Sequence, residues 1–113
     1  KEDLVKTLTD LKKQGKKIYG FGASAKGNTL LNYFGINNKI IDCIFDDTPE
    51  KQNKLTPGTH IPVISSEYLL EENPDYLLLL AWNFSKEIIA KTTAFKEKGG
   101  KYIIPVPEVK IIE

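Results

Sequence analysis

A glycine-rich turn between an apolar strand and a helix is the part of this chain best suited to hold a ligand. Residues 17–29 read Lys-Ile-Tyr-Gly-Phe-Gly-Ala-Ser-Ala-Lys-Gly-Asn-Thr. We expect Gly20 to permit the tight turn, Gly22 to let a pyrophosphate approach the backbone, and Ala25 to let the helix pack closely on the strand. The free N–H groups at the start of that helix would then face the anion. The sequence therefore predicts a phosphate-binding loop.

Three interpretations of this loop are considered: a dinucleotide-binding site, a P-loop, and a tight turn without a ligand. Their spacing matches the G-x-G-x-x-A pattern of a dinucleotide-binding site. A P-loop is excluded, because its lysine follows the last glycine, whereas here Lys26 precedes Gly27. In the third interpretation the glycines serve only the packing of a tight turn. Lys26, Asn28 and Thr29 favour a binding role, because they add donors that packing does not require.

The other candidate groups follow the ends of predicted strands or lie in loops. Asp46 or Asp47 ends the second strand, where a dinucleotide site has a ribose-binding acid. Trp82 and Asn83 follow the fourth strand, where the indole is suited either to stacking on a ligand ring or to packing. His60 is the only histidine and lies in a Pro-Gly loop without a carboxylate or thiol at motif spacing. It is a candidate for ligand contact or for acid–base work near neutral pH.

Helices alternate with short apolar strands, which is typical of a parallel sheet covered on both faces. We predict an α/β fold, a Rossmann-like three-layer sandwich with a mostly parallel sheet of four to five strands, in a single domain over residues 1–113. The predicted helices are residues 2–14, 24–34, 65–70 and 84–98, and the predicted strands are residues 18–21, 40–45, 61–64, 76–80 and 102–106. Residues 48–58 form a long loop in this prediction. Ligands bind outside the carboxyl ends of such strands, so the candidate groups would converge on one crevice.

The amino-acid composition of the chain limits the kinds of partner that we expect it to bind. The net charge is +1, and all 16 basic residues are lysines. Without arginine the chain lacks the planar fork that reads guanine edges, so we expect no nucleic-acid partner. No apolar run of about 20 residues and no signal-peptide pattern occurs, which predicts a cytoplasmic chain without a membrane partner. The single cysteine, Cys43, excludes an internal disulfide and a cysteine-based zinc site.

Four blocks of residues carry a resemblance to a known family. They are Gly20–Tyr33, Pro57–Pro62, Tyr76–Asn83 and Gly99–Pro105. Together and in this order they resemble the C-terminal domain of the sugar C-methyltransferases, over about residues 17–111. The resemblance implies a three-part enzyme with a zinc-binding N-terminal domain, a central S-adenosylmethionine-binding domain and this Rossmann-like domain. The chain begins at Lys1 and contains no methionine, so we expect it to be a domain of a longer methyltransferase.

The family resemblance also implies a reaction and a set of binding residues. The intact enzyme would transfer a methyl group to a carbon of a nucleotide-linked ketosugar, and this domain would help to hold that nucleotide-sugar against the upstream domain. Carried over to this sequence, the residues at the diphosphate are Gly20, Gly22, Ala23, Lys26, Gly27 and Asn28, and those beside the nucleotide or sugar are His60, Trp82 and Asn83. Asp46 joins them as the candidate ribose-binding acid.

We expect no catalytic residue and no metal ligand in this chain. It has no cysteine pairs for zinc, no second glycine-rich strand end for S-adenosylmethionine and no obvious base for proton abstraction. Zinc and S-adenosylmethionine are therefore expected upstream, and this chain alone is expected to be inactive. Two rival functions remain open: a stand-alone NAD-type dinucleotide-binding module, which would lack a Tyr-x-x-x-Lys pair, and a non-catalytic regulatory domain that kept the fold.

Overall fold

The architecture is known from a computed structural model that describes residues 2–106 and 108–113. The helices are α1 (Glu2–Lys13), α2 (Ala25–Phe34), α3 (Leu69–Glu72), α4 (Ser85–Lys91) and α5 (Thr93–Glu97). The strands are β1 (Ile18–Phe21), β2 (Ile44–Phe45), β3 (Val63–Ile64), β4 (Tyr76–Leu79), β5 (Lys101–Ile104) and β6 (Lys110–Ile112). Short 3-10 turns lie at Pro49–Lys51, Ser66–Tyr68 and Trp82–Phe84.

The strands form a single sheet in the order β3-β2-β1-β4-β5-β6. The first five strands in this order run parallel, and β6 pairs antiparallel with β5 at the edge. The predicted α/β fold with a mostly parallel sheet is confirmed. The sheet has six strands among the described residues, because Lys110–Ile112 adds an edge strand that the sequence analysis did not predict.

Successive side chains along each strand point to opposite faces of the sheet, so the core consists of two clusters, one on each face. Ile18 and Leu78 point toward α1 and α2, where they join Leu8 and Leu31 in one apolar cluster. Their neighbours in sequence, Tyr19 and Leu77, and also Leu79 and Phe45, belong to a second cluster with α3, α4 and α5. Strands buried on both faces explain the nearly continuous apolar runs of β1 and β4. The result is the predicted three-layer sandwich.

The chain changes sides of the sheet between β1 and β4. The helix after β1 packs on one face, whereas the helices after β4 pack on the other. The carboxyl ends of β1 and β4 are therefore the switch point of the sheet, the position at which open α/β sheets bind their ligands. The glycine-rich turn lies at this position.

Several predicted elements are shorter or more broken than expected. The strand predicted at 61–64 is confined to Val63–Ile64, and the helix predicted at 65–70 is a 3-10 turn, Ser66–Tyr68, followed by α3. The strand predicted at 40–45 begins only at Ile44, because the N–H groups of Ile40 and Ile41 donate to Asn37 O in a turn. The helix predicted at 84–98 is interrupted at Thr92, whose φ and ψ are −120° and 33°. The Thr92 hydroxyl bonds to Ile88 O and to the Tyr102 hydroxyl, and this competition with the helix backbone accounts for the break.

The predicted loop at 48–58 contains regular structure. After the 3-10 turn, the chain folds back on itself as a hairpin over residues 53–63, which we call the β2–β3 hairpin. Asn53 N–H donates to Val63 O at 2.7 Å, Val63 N–H donates to Lys54 O at 2.9 Å, and Leu55 bridges Pro62 in antiparallel fashion. A 3-10 turn and a hairpin thus connect β2 to β3.

Candidate functional site

The glycine-rich turn is pressed against the end of β4. Gly22 has a φ of +90°, and a Cβ atom there would lie 2.8 Å from Ala81 Cβ. A Cβ atom at Gly27 would lie 2.6 Å from Leu80 Cβ. The prediction that Gly20 permits the tight turn is wrong, because Gly20 lies inside β1, opposite Ile44. The chain turns at Gly22, and contact with the residues after β4 requires small residues here.

Some backbone N–H groups of the turn donate to acceptors within the protein, and others have no such acceptor. Gly22 N–H donates to Phe45 O at 2.8 Å, and Ser24 N–H donates to Gly22 O at 2.9 Å. Ser24 caps α2, because its Oγ accepts from Gly27 N–H at 3.0 Å. Within residues 2–106 and 108–113, the N–H groups of Ala25 and Lys26 have no acceptor. An anion at the start of α2 would bind to these two donors.

Asp46 fastens the turn to β2. Its Oδ2 accepts from Ala23 N–H at 2.6 Å, and its Oδ1 accepts from Thr48 N–H at 2.7 Å. Burial of the carboxyl raises its pKa, but the hydrogen bonds from Thr48 and Ala23 and the charge of Lys51 outweigh this effect, so the pKa lies below the usual value. The side chain is only 8% exposed. Asp46 therefore orders the turn as an ionised acceptor, and its contact with a ribose stays a prediction.

The segment after Asp46 closes over the turn from the other side. Lys51 Nζ donates to Ala23 O at 2.8 Å, and Gln52 Nε2 donates to Asp46 O at 2.9 Å. Ala23 is thus held through both its N–H and its C=O. The turn is preorganised by the protein before any ligand arrives.

A pocket of about 530 Å³ opens beside this turn, between α2 and the β2–β3 hairpin. Its size is typical of small-molecule sites. Buried apolar side chains form its floor, and polar and charged groups of the turn, the 3-10 segment and the hairpin form its rim. The floor is Leu31, Ile44, Val63 and Leu80, and the rim includes Ser24, Asn28, Glu50, Lys51 and Lys54.

Asn28 is the polar side chain of α2 that faces this pocket. Its Oδ1 is shielded from solvent and accepts no hydrogen bond from the described residues. Its Nδ2 likewise donates to no group in that part of the chain. Buried carboxamide atoms are normally paired, so Asn28 is a candidate ligand contact.

The hairpin that forms the opposite wall is anchored to α2. Asn32 Nδ2 donates to Pro57 O at 3.2 Å, and the hydroxyls of Thr56 and Thr59 share a short hydrogen bond inside the turn. Thr56 Oγ1 also accepts from Ile61 N–H at 2.9 Å. Leu55 lines the pocket and is 57% exposed. The pocket therefore has one rigid wall and an exposed apolar rim.

Only part of the predicted residue set meets at this pocket. Ala23 and Asn28 line it. Gly20, Gly22 and Gly27 do not line it and are instead packed against β2 and the residues after β4, and Lys26 is exposed at the start of α2. His60 is exposed at the hairpin tip, with a φ of +56°, and does not line the pocket. Trp82 packs against the core cluster and Asn83 is exposed; both lie in the 3-10 turn after β4.

Asp47 points away from the glycine-rich turn, although it follows Asp46 directly. Its Oδ2 pairs with Lys91 Nζ at 3.3 Å, and its Oδ1 accepts a short hydrogen bond from Ser66. These partners belong to the segment after β3 and to α4, on the other face of the sheet. Of the two acids left open by the sequence, only Asp46 contacts the turn.

Sequence reasoning missed the residues that the β2–β3 connection contributes. Lys51, Lys54 and Leu55 lie in the segment predicted to be a loop, and all three line the pocket. The alternation of Leu55 with Thr56 before Pro57-Gly58, followed by the apolar Ile61 and Val63, was the available signal for a hairpin.

Two other kinds of feature are absent from the described part of the chain. No three side chains among its His, Cys, Asp and Glu residues are grouped closely enough to hold a metal ion. No helix in it is long and apolar enough to cross a membrane.

Fold and site together define a doubly wound α/β domain with a glycine-rich turn at the switch point of its sheet. Residues 1–107 match the model of the C-methyltransferase C-terminal domain, and the chain belongs to that family. It is 44% identical over 98 residues to C-methyltransferase NovU of Streptomyces niveus. That alignment covers 87% of this chain but only 23% of the relative. The resemblance predicted from the four sequence blocks is confirmed.

Proposed function

We propose that this domain binds the nucleotide-linked ketosugar on which a C-methyltransferase acts, and that it carries none of the methyl-transfer chemistry. The observation that carries this proposal is a pair of N–H groups at the start of α2, on Ala25 and Lys26, that have no acceptor among the described residues. Ala25 also lines the apolar pocket. A ligand with both an anionic and an apolar part matches this arrangement. A nucleotide diphosphate has both parts.

The diphosphate is proposed to lie at the start of α2. The N–H groups and the dipole of this ten-residue helix favour an anion at that end. Lys26 adds a charge that is strongly hydrated and flexible, so its contribution is a moderate one that depends on salt. Because Gly22, Ala23 and Ser24 already donate to the protein, the diphosphate contacts the first turn of the helix and not the glycines themselves.

The remaining parts of the reaction are proposed to belong to other domains of a longer protein. The chain spans 23% of the relative that it matches. Its described residues offer no cluster that fits zinc. We place the sites for zinc and S-adenosylmethionine in the upstream domains, and we propose that this domain presents the nucleotide-sugar to the methyltransferase domain. His60, Trp82 and Asn83 stay proposed contacts with the part of the ligand outside the pocket.

An NMR titration of the 113-residue chain tests the proposal. Its ligands are dTDP, pyrophosphate, NAD and S-adenosylmethionine, and the signals to follow are the amides of Ala25 and Lys26. We expect saturable shifts with dTDP and with pyrophosphate. Lys26→Ala should weaken both by about threefold to tenfold, whereas Lys39→Ala, a surface lysine beyond the far end of α2, should change neither.

Each other outcome rejects a specific part of the proposal. A response of these amides to NAD alone would favour the dinucleotide-binding alternative. Shifts that appear only with S-adenosylmethionine would place the methyl donor in this domain. Absence of any response to dTDP and pyrophosphate would contradict a substrate-binding role for the isolated domain.

A further inference from the structure

We propose that the heterocyclic base of the nucleotide occupies the pocket between α2 and the β2–β3 hairpin, with Asn28 contacting the polar edge of the base. The sugar then lies outside the pocket. This inference rests on the proposed nucleotide-sugar binding and deepens it, because it assigns a direction to the ligand and names a specificity residue.

The floor of the pocket selects for a group with apolar faces. Ile44 and Leu80 are at most 1% exposed and lie side by side with Leu31 and Val63. A base ring presents two apolar faces and confines its polar atoms to the edge. A sugar carries hydroxyl groups around its ring, and these would lose their hydrogen bonds to water against such a floor. The base is therefore the better occupant.

Asn28 supplies the polar complement that a base edge needs. Its carboxamide carries a donor and an acceptor, and neither is paired with the described residues. Paired donors and acceptors on base edges are what asparagine recognises in a bidentate manner. A rotation of the carboxamide about its terminal torsion brings Oδ1 out of its shielded position, and that torsion is broad and soft. A single asparagine on an apolar wall thus favours a base over an aliphatic ligand.

The position of Asn28 on the helix fixes the direction of the nucleotide. Asn28 lies three residues after Ala25, which is about 4.5 Å along the helix axis. A base at Asn28 and a diphosphate at the Ala25 and Lys26 amides therefore lie one turn apart on the same side of α2. The linked sugar continues past the diphosphate, away from the pocket, so that its reacting carbon is accessible to a neighbouring domain.

Leu55 provides a wall that a bound base would cover. It lies on the β2–β3 hairpin, lines the pocket and is 57% exposed. Contact of a flat ring with Leu55 on one side and with the floor on the other would bury apolar surface on both faces of the ring. Ring currents of the base would then shift the methyl signals of Leu55 and Val63.

Calorimetry on the 113-residue chain with three probes tests the inference. The probes are dTDP, pyrophosphate and glucose 1-phosphate. We expect dTDP to bind at least tenfold more tightly than the other two. Asn28→Ala should weaken dTDP binding by about fivefold to tenfold and leave pyrophosphate binding within twofold. Asn38→Ala, at an exposed position beyond the far end of α2 and outside the pocket, is the matched control and should leave both constants unchanged.

Methyl NMR supplies a second readout that does not depend on the variant. Ring-current shifts of Leu55 and Val63 with dTDP, but not with glucose 1-phosphate, would support the placement of the base. Equal affinities for dTDP and pyrophosphate, or an Asn28→Ala effect that is the same for both, would overturn the inference while the proposed diphosphate site stands. If pyrophosphate and dTDP both fail to bind, the proposed function itself is wrong and this inference falls with it.

Discussion

Asp46 is the residue on which the order of the glycine-rich turn depends most directly. Its two oxygens accept from backbone N–H groups on either side, Ala23 and Thr48. Asp46→Asn replaces one of these oxygens by an NH₂ group. One of the two backbone N–H donors would then face another donor and lose its acceptor. We expect a loss of about 1.5–3 kcal/mol in the free energy of unfolding at pH 7, measured by urea titration.

The pH dependence of this effect has a defined sign. Because the folded-state pKa of Asp46 is lowered, its contribution is present above the unfolded pKa of about 3.9 and is lost as the pH falls through the folded value. The difference between wild type and Asp46→Asn should therefore shrink below about pH 4. Asp47→Asn, in a half-exposed ion pair with Lys91, is the control and should cost no more than about 1 kcal/mol. A difference between Asp46→Asn and wild type that stays constant down to pH 2 would contradict this account.

Gly22 combines two constraints that a pair of variants can separate. Gly22→Ala places a side chain at a φ of +90° and brings its Cβ within 2.8 Å of Ala81 Cβ. Gly15→Ala has a similar φ of +82° but has open space around the new Cβ. We expect about 1–2 kcal/mol of destabilisation for Gly15→Ala from the backbone alone, and a clearly larger loss for Gly22→Ala. Equal losses in thermal or urea unfolding would show that the contact with Ala81 is unimportant.

At the scale of elements, the β2–β3 hairpin is docked on α2 through a close contact at its tip. A Cβ atom at Gly58 would overlap Asn32 Oδ1, and Asn32 Nδ2 donates to Pro57 O. Gly58→Ala should therefore destabilise the chain both through its φ of +79° and through this overlap. In the double variant with Asn32→Ala the overlap is absent, so we expect its loss of stability to be smaller than the sum of the two single losses by about 0.5 kcal/mol or more.

Urea unfolding of the wild type, the two single variants and the double variant measures the coupling between Gly58 and Asn32. The structure predicts a sign, because removal of Asn32 relieves the added methyl group. Strictly additive losses would mean that the hairpin tip moves away from α2 without cost.

Local signals in the sequence were sufficient to predict the helices and strands whose ends are marked by capping residues or by a continuous apolar run. Ser24 and Gly35 delimit α2, with a side-chain cap at one end and a left-handed residue at the other, so the predicted helix at 24–34 agrees with the structure to within a residue. The strand at Tyr76–Leu79 was predicted from its apolar run alone. Elements that depend on distant partners were not predicted: the break at Thr92 requires Tyr102, and β6 requires the edge of β5.

The same distinction applies to the site. The spacing of small residues located the turn, and Asn28 and Ala23 line the pocket as members of the predicted set. The second wall depends on Lys51 reaching Ala23 O across 28 residues and on a hairpin that folds onto α2. Such contacts are fixed by tertiary structure and have no signature at a local spacing.

For the whole molecule, the sheet order predicts a gradient of local stability. Strand β4 is flanked by β1 and β5, and Leu77–Leu79 are fully buried, whereas β6 lies at the edge with partly exposed side chains. We expect the amides of Leu77 and Leu78 to exchange with solvent at the slowest, global rate and those of Lys110–Ile112 to exchange at least a hundredfold faster. Hydrogen exchange followed by NMR measures both sets in one sample. Comparable protection of the two strands would contradict the gradient.

The β2–β3 hairpin leaves the sheet and returns to it through a narrow neck. Asn53 and Lys54 pair with Val63 at that neck, so its two ends are adjacent although nine residues lie between Asn53 and Val63 in the sequence. A hairpin of another length can be joined at this neck without a change in the sheet, provided that it keeps the buried Ile61 and the contact with Asn32. Because Leu55 and Pro57 of the hairpin line the pocket, we expect an exchange of this hairpin between relatives to change one wall of the pocket and to leave the glycine-rich turn as it is.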